Sequence, residues 1–284
     1  MDRFSKFHPA VGFSFFSAVI IVSLVFVNPV YSAVSFVSAF AYYVILCGKK
    51  ALSSFFKFIL PLVAAVALFN MLFCRYGQTV LFTVFSLGFT LEALVYGLLT
   101  GLMLGSVIMW FLCYNEVVSS EKFTSLFGRF APNLTLLFSM VLRFIPLLIK
   151  TAGEIKDAQI GLGNETKGLK NTIARFSALV SITLENSIET ADTMKSRVFG
   201  EKRRHFSRYS YKFTDIILIV FFILSLALQI AFKAAGLNEF EYRYTLELKN
   251  FSIAPLIAFA LCSFLPCIID LKEDVKWRFL KSKI

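Results

Sequence analysis

Long apolar runs separated by short charged ones make up most of the chain, and one wide polar interval lies near its middle. Five stretches carry no Asp, Glu, Lys or Arg: Ala10 to Cys47, Phe58 to Cys74, Ala93 to Asn115, Ile216 to Phe232, and Phe251 to Ile269. A helix gains 1.5 Å per residue and a bilayer's hydrocarbon core is about 30 Å thick, so runs of about 20 residues predict membrane spans. The first run is long enough for two. Asn28-Pro29 breaks it in the middle, because proline lacks the amide proton that a continuing helix requires. Six spans are expected. Tyr31-Ser32-Ala33 could pass for a signal-peptide cleavage site, but the apolar pattern continues beyond it.

The interval from Glu116 to Lys212 reads differently. Asn133 to Ile160 predicts a long helix, apolar at Leu136, Leu137, Met140 and Val141, then amphipathic around Arg143, Lys150, Glu154, Lys156 and Asp157. Its first half resembles a span, but a seventh crossing would put the basic C-terminal tail outside, so a helix at the membrane boundary is expected. Gly161, Gly163 and Gly168 interrupt the pattern. A second helix is expected from Asn171, with Ile173, Phe176, Val180, Leu184, Ile188, Ala191, Met194 and Val198 on one face. Arg175, Glu185, Asn186, Glu189, Asp192 and Lys195 occupy the other, and such a helix is about 40 Å long. Phe240, Tyr242, Tyr244, Leu246 and Leu248 alternate with polar residues, a strand pattern for which Thr79 to Phe85 is the expected partner.

Composition narrows the class. Of 284 residues 57% are hydrophobic and 17% charged, against about 25% charged in an ordinary soluble domain. The net charge of +11 would suit a nucleic acid, but its distribution points to a membrane. With the N-terminus inside, 25 of the 29 basic residues fall on inner segments, and only Arg75, Lys233, Arg243 and Lys249 on outer loops. The basic run Lys202, Arg203, Arg204, Arg208, Lys212 then reads as a stop at the anionic inner leaflet.

Chemistry is sparse. Only His8 and His205 are present, which excludes a haem held between paired histidines. Cys47, Cys74, Cys113, Cys262 and Cys267 form no C-x-x-C pair and read as inert buried thiols. The spans contain no carboxylate of the kind that proton- or sodium-driven transporters bury. Glu92 and Asp215 lie at span ends, where Glu92 suits a helix N-terminus. Gly163 to Gly168 has phosphate-loop spacing, but Leu169 and Lys170 replace the required Lys and Ser/Thr. Glu185, Glu189 and Asp192 share a face without a histidine and read as a solvated or partner-facing surface. Gly97, Gly101 and Gly105 recur every fourth residue, a groove for close packing by another helix of this chain or of a partner subunit.

Together these features resemble the transmembrane T component of energy-coupling factor (ECF) transporters, the scaffold of vitamin and transition-metal importers. The residues that carry the resemblance are His8-Pro9, Asn28-Pro29, Phe89-Thr90-Leu91-Glu92-Ala93-Leu94 and Leu142-Arg143-Phe144-Ile145-Pro146-Leu147-Leu148. Two further segments match the family's arginine motifs at the ends of its coupling helices: Ile155 to Gly163, and Ala191 to Gly200. The resemblance implies that Ser196, Arg197 and Val198 dock one ABC-type ATPase subunit, and that Gly161, Leu162 and Gly163 dock a second. Leu162 stands where the first motif's arginine is expected, and leucine forms no charge-assisted bond.

The expected fold is therefore an all-α integral membrane protein with about six transmembrane helices and long amphipathic cytoplasmic coupling helices. Residues 1–115 would form a four-span membrane domain, 116–214 the coupling region, 215–270 a membrane hairpin and 271–284 a basic tail. The resemblance implies a non-catalytic subunit without cofactors, in the plasma (inner) membrane of a prokaryote, with both termini cytoplasmic. Its implied partners are two ATPases, a small substrate-binding membrane subunit and membrane lipids, with no nucleic acid. A lipid or prenyl enzyme would need clustered aspartates to hold Mg²⁺. Asp157 and Asp192 lie on separate helices. A membrane assembly protein without a transport cycle is the other reading.

Overall fold

The structure, a computed structural model, describes residues 4–26, 28–73, 80–84, 87–128, 131–163, 168–197, 209–236, 239–241, 247–249 and 252–281. The chain forms two compact units, Met1–Ser119 with Tyr209–Ile284, and Ser120–Arg208.

The first unit begins with a 3-10 turn, Phe4–Lys6, and helix α1, Pro9–Val25. The His8 Nδ1 accepts the Ala10 amide at 3.2 Å, and Pro9 fills the first helical position, where no amide proton is needed. Helix α2, Pro29–Cys47, starts the same way, with Asn28 Oδ1 accepting the Val30 amide at 3.1 Å. The break expected at Asn28-Pro29 is thus a helix cap. Helix α3, Lys49–Ser54, a π-helical turn, Phe55–Ile59, and helix α4, Leu60–Phe73, follow one another without interruption. Helix α5 is Leu91–Val117, with Glu92 in its first turn. Helix α9, Phe213–Ala234, has Asp215 in its first turn, and helix α10, Ile253–Lys281, runs far past the expected end at Ile269.

Two short hairpins complete this unit. Strand β1, Val80–Val84, pairs antiparallel with β2, Leu87–Thr90, and β3, Glu239–Glu241, with β4, Glu247–Lys249. The expected pairing of Thr79–Phe85 with Phe240–Leu248 is therefore corrected: each segment pairs within its own loop. A short connection costs less closure entropy than one across more than a hundred residues. Residues 242–246 and Thr79 lie outside the described residues.

The core of this unit lies among α1, α2, α5, α9 and α10, where Trp110, Tyr42, Phe15, Phe222 and Phe259 are fully buried. The Trp110 ring meets Phe15 edge-on at 5.5 Å, and its Nε1 donates to Ser35 Oγ at 3.1 Å. Ser35 also shares a 2.7 Å bond with Ser23, so polar atoms on three helices satisfy one another inside an apolar core. Gln229 on α9 makes a second tie, donating to the Pro255 carbonyl at 2.6 Å and accepting from Tyr31 at 3.4 Å. Asp270, just past the expected end of the last span, is buried and accepts the Phe4 amide at 3.1 Å.

Among the described residues six helices are long and apolar enough to cross a membrane: Pro29–Cys47, Lys49–Phe73, Glu92–Val117, Pro132–Gly161, Phe213–Ala234 and Ile253–Lys272. Pro9–Val25 is a shorter apolar helix of 17 residues, at the lower limit for a span. The chain is an all-α integral membrane protein with multiple spans. The set differs from the expected six at two places: Pro9–Val25 falls just short in length, and Pro132–Gly161 qualifies by length and composition, because its apolar first half outweighs the charges that follow.

The second unit contains α6, Ser120–Phe127, α7, Pro132–Gly161, and α8, Leu169–Ser196. Helix α7 packs on both α6 and α8. Yet neither α7 nor α8 has a buried residue.

Candidate functional site

Helix α7 is 30 residues long, about 45 Å at 1.5 Å per residue, and carries Pro146 in its interior. Its apolar positions Leu134, Leu137, Phe138, Val141, Ile145 and Ile149 are all exposed. Where α6 lies against it, Phe123, Leu134, Leu137, Phe138 and Val141 line an apolar cavity of about 460 Å³. Farther along, Lys150 pairs with Glu154 at 3.7 Å, both on the solvated face.

The helix ends where the glycines predicted. Leu162 is its cap residue and donates its amide to the Ala158 carbonyl at 3.1 Å, and Gly163 donates to Ile160 at 3.0 Å. Gly163 has φ +78°, a left-handed conformation that a side chain would strain. This turn thrusts Leu162 outward at 79% exposure. Gly161 and Gly163 would meet no neighbour within 4 Å if given a Cβ. The first motif is thus an open knuckle with a leucine at its tip.

Helix α8 carries Leu169, Ile173, Phe176, Val180, Leu184 and Ile188 at steps of three and four, forming one exposed apolar seam. Leu169 is 84% exposed and Ile173 66%, values typical of charged surface residues rather than of leucine or isoleucine. At the far end Ser196 Oγ donates to Thr193 O at 2.8 Å, and the Arg197 amide donates to Thr193 and Met194 carbonyls at 3.3 and 3.2 Å. Arg197 is the C-cap and is exposed. Its cation, like that of Lys195, sits at the negative end of the helix dipole. Lys195 also pairs with Asp192 at 3.9 Å. Val198 and the basic run from Lys202 to Arg208 lie outside the described residues.

These two motif ends are not brought together. The 28 residues of α8 separate Leu162 from Arg197 by about 42 Å of helix. Glu185 and Glu189 point to solvent on the same helix. Among the described residues no group of three or more His, Cys, Asp or Glu could hold a metal ion.

The glycine stripe faces α4. A Cβ on Gly97 would lie 2.8 Å from Asn70 Cβ and 2.9 Å from Ala67 Cα. On Gly101 it would lie 3.0 Å from the Val63 carbonyl, and on Gly105 3.2 Å from Val63 Cγ2. At Gly97 no side chain fits against the α4 backbone, and Asn70 Nδ2 donates across the seam to Thr100 Oγ1 at 3.3 Å. The groove is filled by this chain's own helix.

Sequence reasoning missed three things. The π-helical turn at Phe55–Ile59 has no clear signal in the sequence. The buried Gln229 tie could have been suspected from a lone amide in the apolar run Ile216 to Phe232. The exposure of α7 and α8 could not, since an amphipathic pattern predicts a partner without saying which.

A sequence model of the family described as CbiQ, cobalt transport protein, matches residues 2–208. No curated protein matches the chain.

Proposed function

We propose, from the premise that the chain belongs to the CbiQ cobalt transport protein family, that it is the transmembrane scaffold subunit of an ATP-driven ECF-type importer. Membership makes it a transport-related, multi-pass membrane protein. The scaffold role is supported by one observation: α7 and α8 are long, carry no buried residue, and present Leu162 and Arg197 exposed, with the whole length of α8, about 42 Å, between them in the chain. In this reading each motif end docks one of two ABC-type ATPases on the cytoplasmic side. The remaining apolar surface receives a small substrate-binding membrane subunit, which carries the vitamin or transition-metal ion.

Arg197 supplies a planar, permanently charged fork suited to a bidentate contact with a carboxylate. Ser196 and Val198 flank it. Leu162, between Gly161 and Gly163, offers only apolar contact, so the two ATPases are held unequally. ATP binding closes the ATPases, the docked helices move together, and the scaffold tips the substrate-binding subunit so that cargo is released inward. The chain itself is non-catalytic, and hydrolysis belongs to the ATPases. Both termini are cytoplasmic in this arrangement, with α7 along the inner face, because the five basic residues of 271–284 then lie inside.

Purification in mild detergent with native partners, identification of the partners by mass, and a comparison of ATP hydrolysis for wild type and Arg197→Glu test the reading. Two ATPases and a small membrane protein should co-purify, and charge reversal should release or uncouple at least one ATPase. Absence of any ATPase, or unchanged coupling in the variant, would return Arg197 to the status of a surface base.

A further inference from the structure

His8 caps α1 through Nδ1, which accepts the Ala10 amide, and is only 9% exposed. An imidazole can accept at Nδ1 only while that nitrogen is unprotonated, so the capping form is the neutral ring with its proton on Nε2. The ring lies flat on Tyr211, centroids 3.7 Å apart and planes within 22°, and Tyr209 stands edge-on at 6.3 Å. Tyr209 to Lys212 are the residues that lead from the second unit's chain into α9. A few residues on, Asp215 is 2% exposed. Its Oδ2 accepts the Lys212 amide at 3.1 Å, and its Oδ1 has no hydrogen-bond partner among the described residues.

We propose that His8 is a proton-operated clasp between the start of α1 and the segment leading into α9. In the neutral state one ring does two jobs: Nδ1 closes the helix cap, and its face holds Tyr211. Protonation removes the Nδ1 lone pair, turns an acceptor into a donor facing the helix N–H groups, and adds positive charge at the positive end of the dipole. The cap opens. The imidazolium is then drawn to the unfilled Oδ1 of Asp215, and Tyr211 loses its flat partner.

The Tyr209 and Tyr211 rings face the imidazole, and the Asp215 carboxylate from α9 acts on its charge. Lys6 in the 3-10 turn, Glu116 on α5 and Asp270 on α10 are other titratable groups on elements that neighbour α1. Burial holds the imidazole below its ordinary 6.5, and the Asp215 carboxylate offsets this in part. The unfolded chain therefore binds more protons between the two values. The clasp is complete above pH 6.5 and is lost as pH falls through the folded value.

The full-length protein in nanodiscs, with ¹⁵N-labelled histidine and a His205→Gln background, isolates the His8 signal. The expected result is the Nε2–H tautomer and a titration below 6.5. Over the same pH range, amide exchange in residues 209–215, corrected for the chemical rate, should rise about fivefold, the worth of one helix cap. In His8→Asn, which caps without titrating, that rise should vanish. Tyr211→Ala should exchange quickly at every pH. An Nδ1–H tautomer, a titration at or above 6.5, a pH response in His8→Asn equal to wild type, or slow exchange in Tyr211→Ala would each overturn the clasp.

Discussion

The five-helix core around Trp110 and the pair α7 and α8 are built from the same kinds of residue, yet they treat them in opposite ways. In the first, Phe, Tyr and Trp from several helices interlock, and Trp110 and Gln229 find polar partners on neighbouring helices. In the second, leucines and isoleucines at regular helical spacing remain exposed from one end to the other. A bare apolar face is ordinary where lipid covers it. Helix α8 has a different character, because charged residues share its surface with the apolar seam and its composition is too polar for a span. Among the described residues of its unit, nothing buries its apolar positions. The first region is closed on itself, and the second is open among the described residues of its unit.

The contrast can be broken most severely in the core. Trp110→Ala should cost about 3–5 kcal/mol, since it removes a fully buried ring and its hydrogen bond to Ser35. A thermal melt in nanodiscs reads this directly, and an unchanged melt would mean that the bundle is not held by this cluster. The glycines give a sharper comparison of intermediate size. Gly97→Ala, whose new methyl would strike the α4 backbone, should destabilise by about 1–3 kcal/mol. Gly153→Ala, in α7 with nothing within 4 Å, should instead stabilise by about 0.5–1 kcal/mol. If both substitutions had the same sign, the distinction between a packed and an open region would fail. The smallest effect belongs to α8. Ile173→Ser and Leu184→Ser should leave the isolated subunit within about 0.5 kcal/mol of wild type, while weakening its assembly with partners. A large loss of stability in the isolated chain would show that α8 is already covered.

Much of this was legible along the chain. Some helix boundaries followed from local chemistry: Asn28-Pro29 caps and begins α2, and Gly161, Gly163 and Gly168 mark the interval between α7 and α8. The glycine stripe announced a close contact but not its partner, which Ala67 and Val63 turned out to be. The alternation near residue 240 read as one strand, whereas residues 239–241 and 247–249 pair with each other, because alternation specifies a face and not a neighbour. Helix α7 shows the limit most plainly. Its residues satisfy the arithmetic of a membrane span and the pattern of an amphipathic lever at once.

What the sequence determined by itself is whatever depends on residues a few positions apart: spans, caps, breaks, the charge-bearing ends, and membership in a cobalt transport family. What only the tertiary structure decided depends on residues far apart in the chain. Trp110 finds Ser35, Gln229 finds Tyr31 and Pro255, His8 meets Tyr211, and Gly97 closes on Ala67. Helical periodicity fixes which side chains share a face over one or two turns, whereas contacts between helices follow from how whole surfaces fit together, and no local pattern encodes that fit.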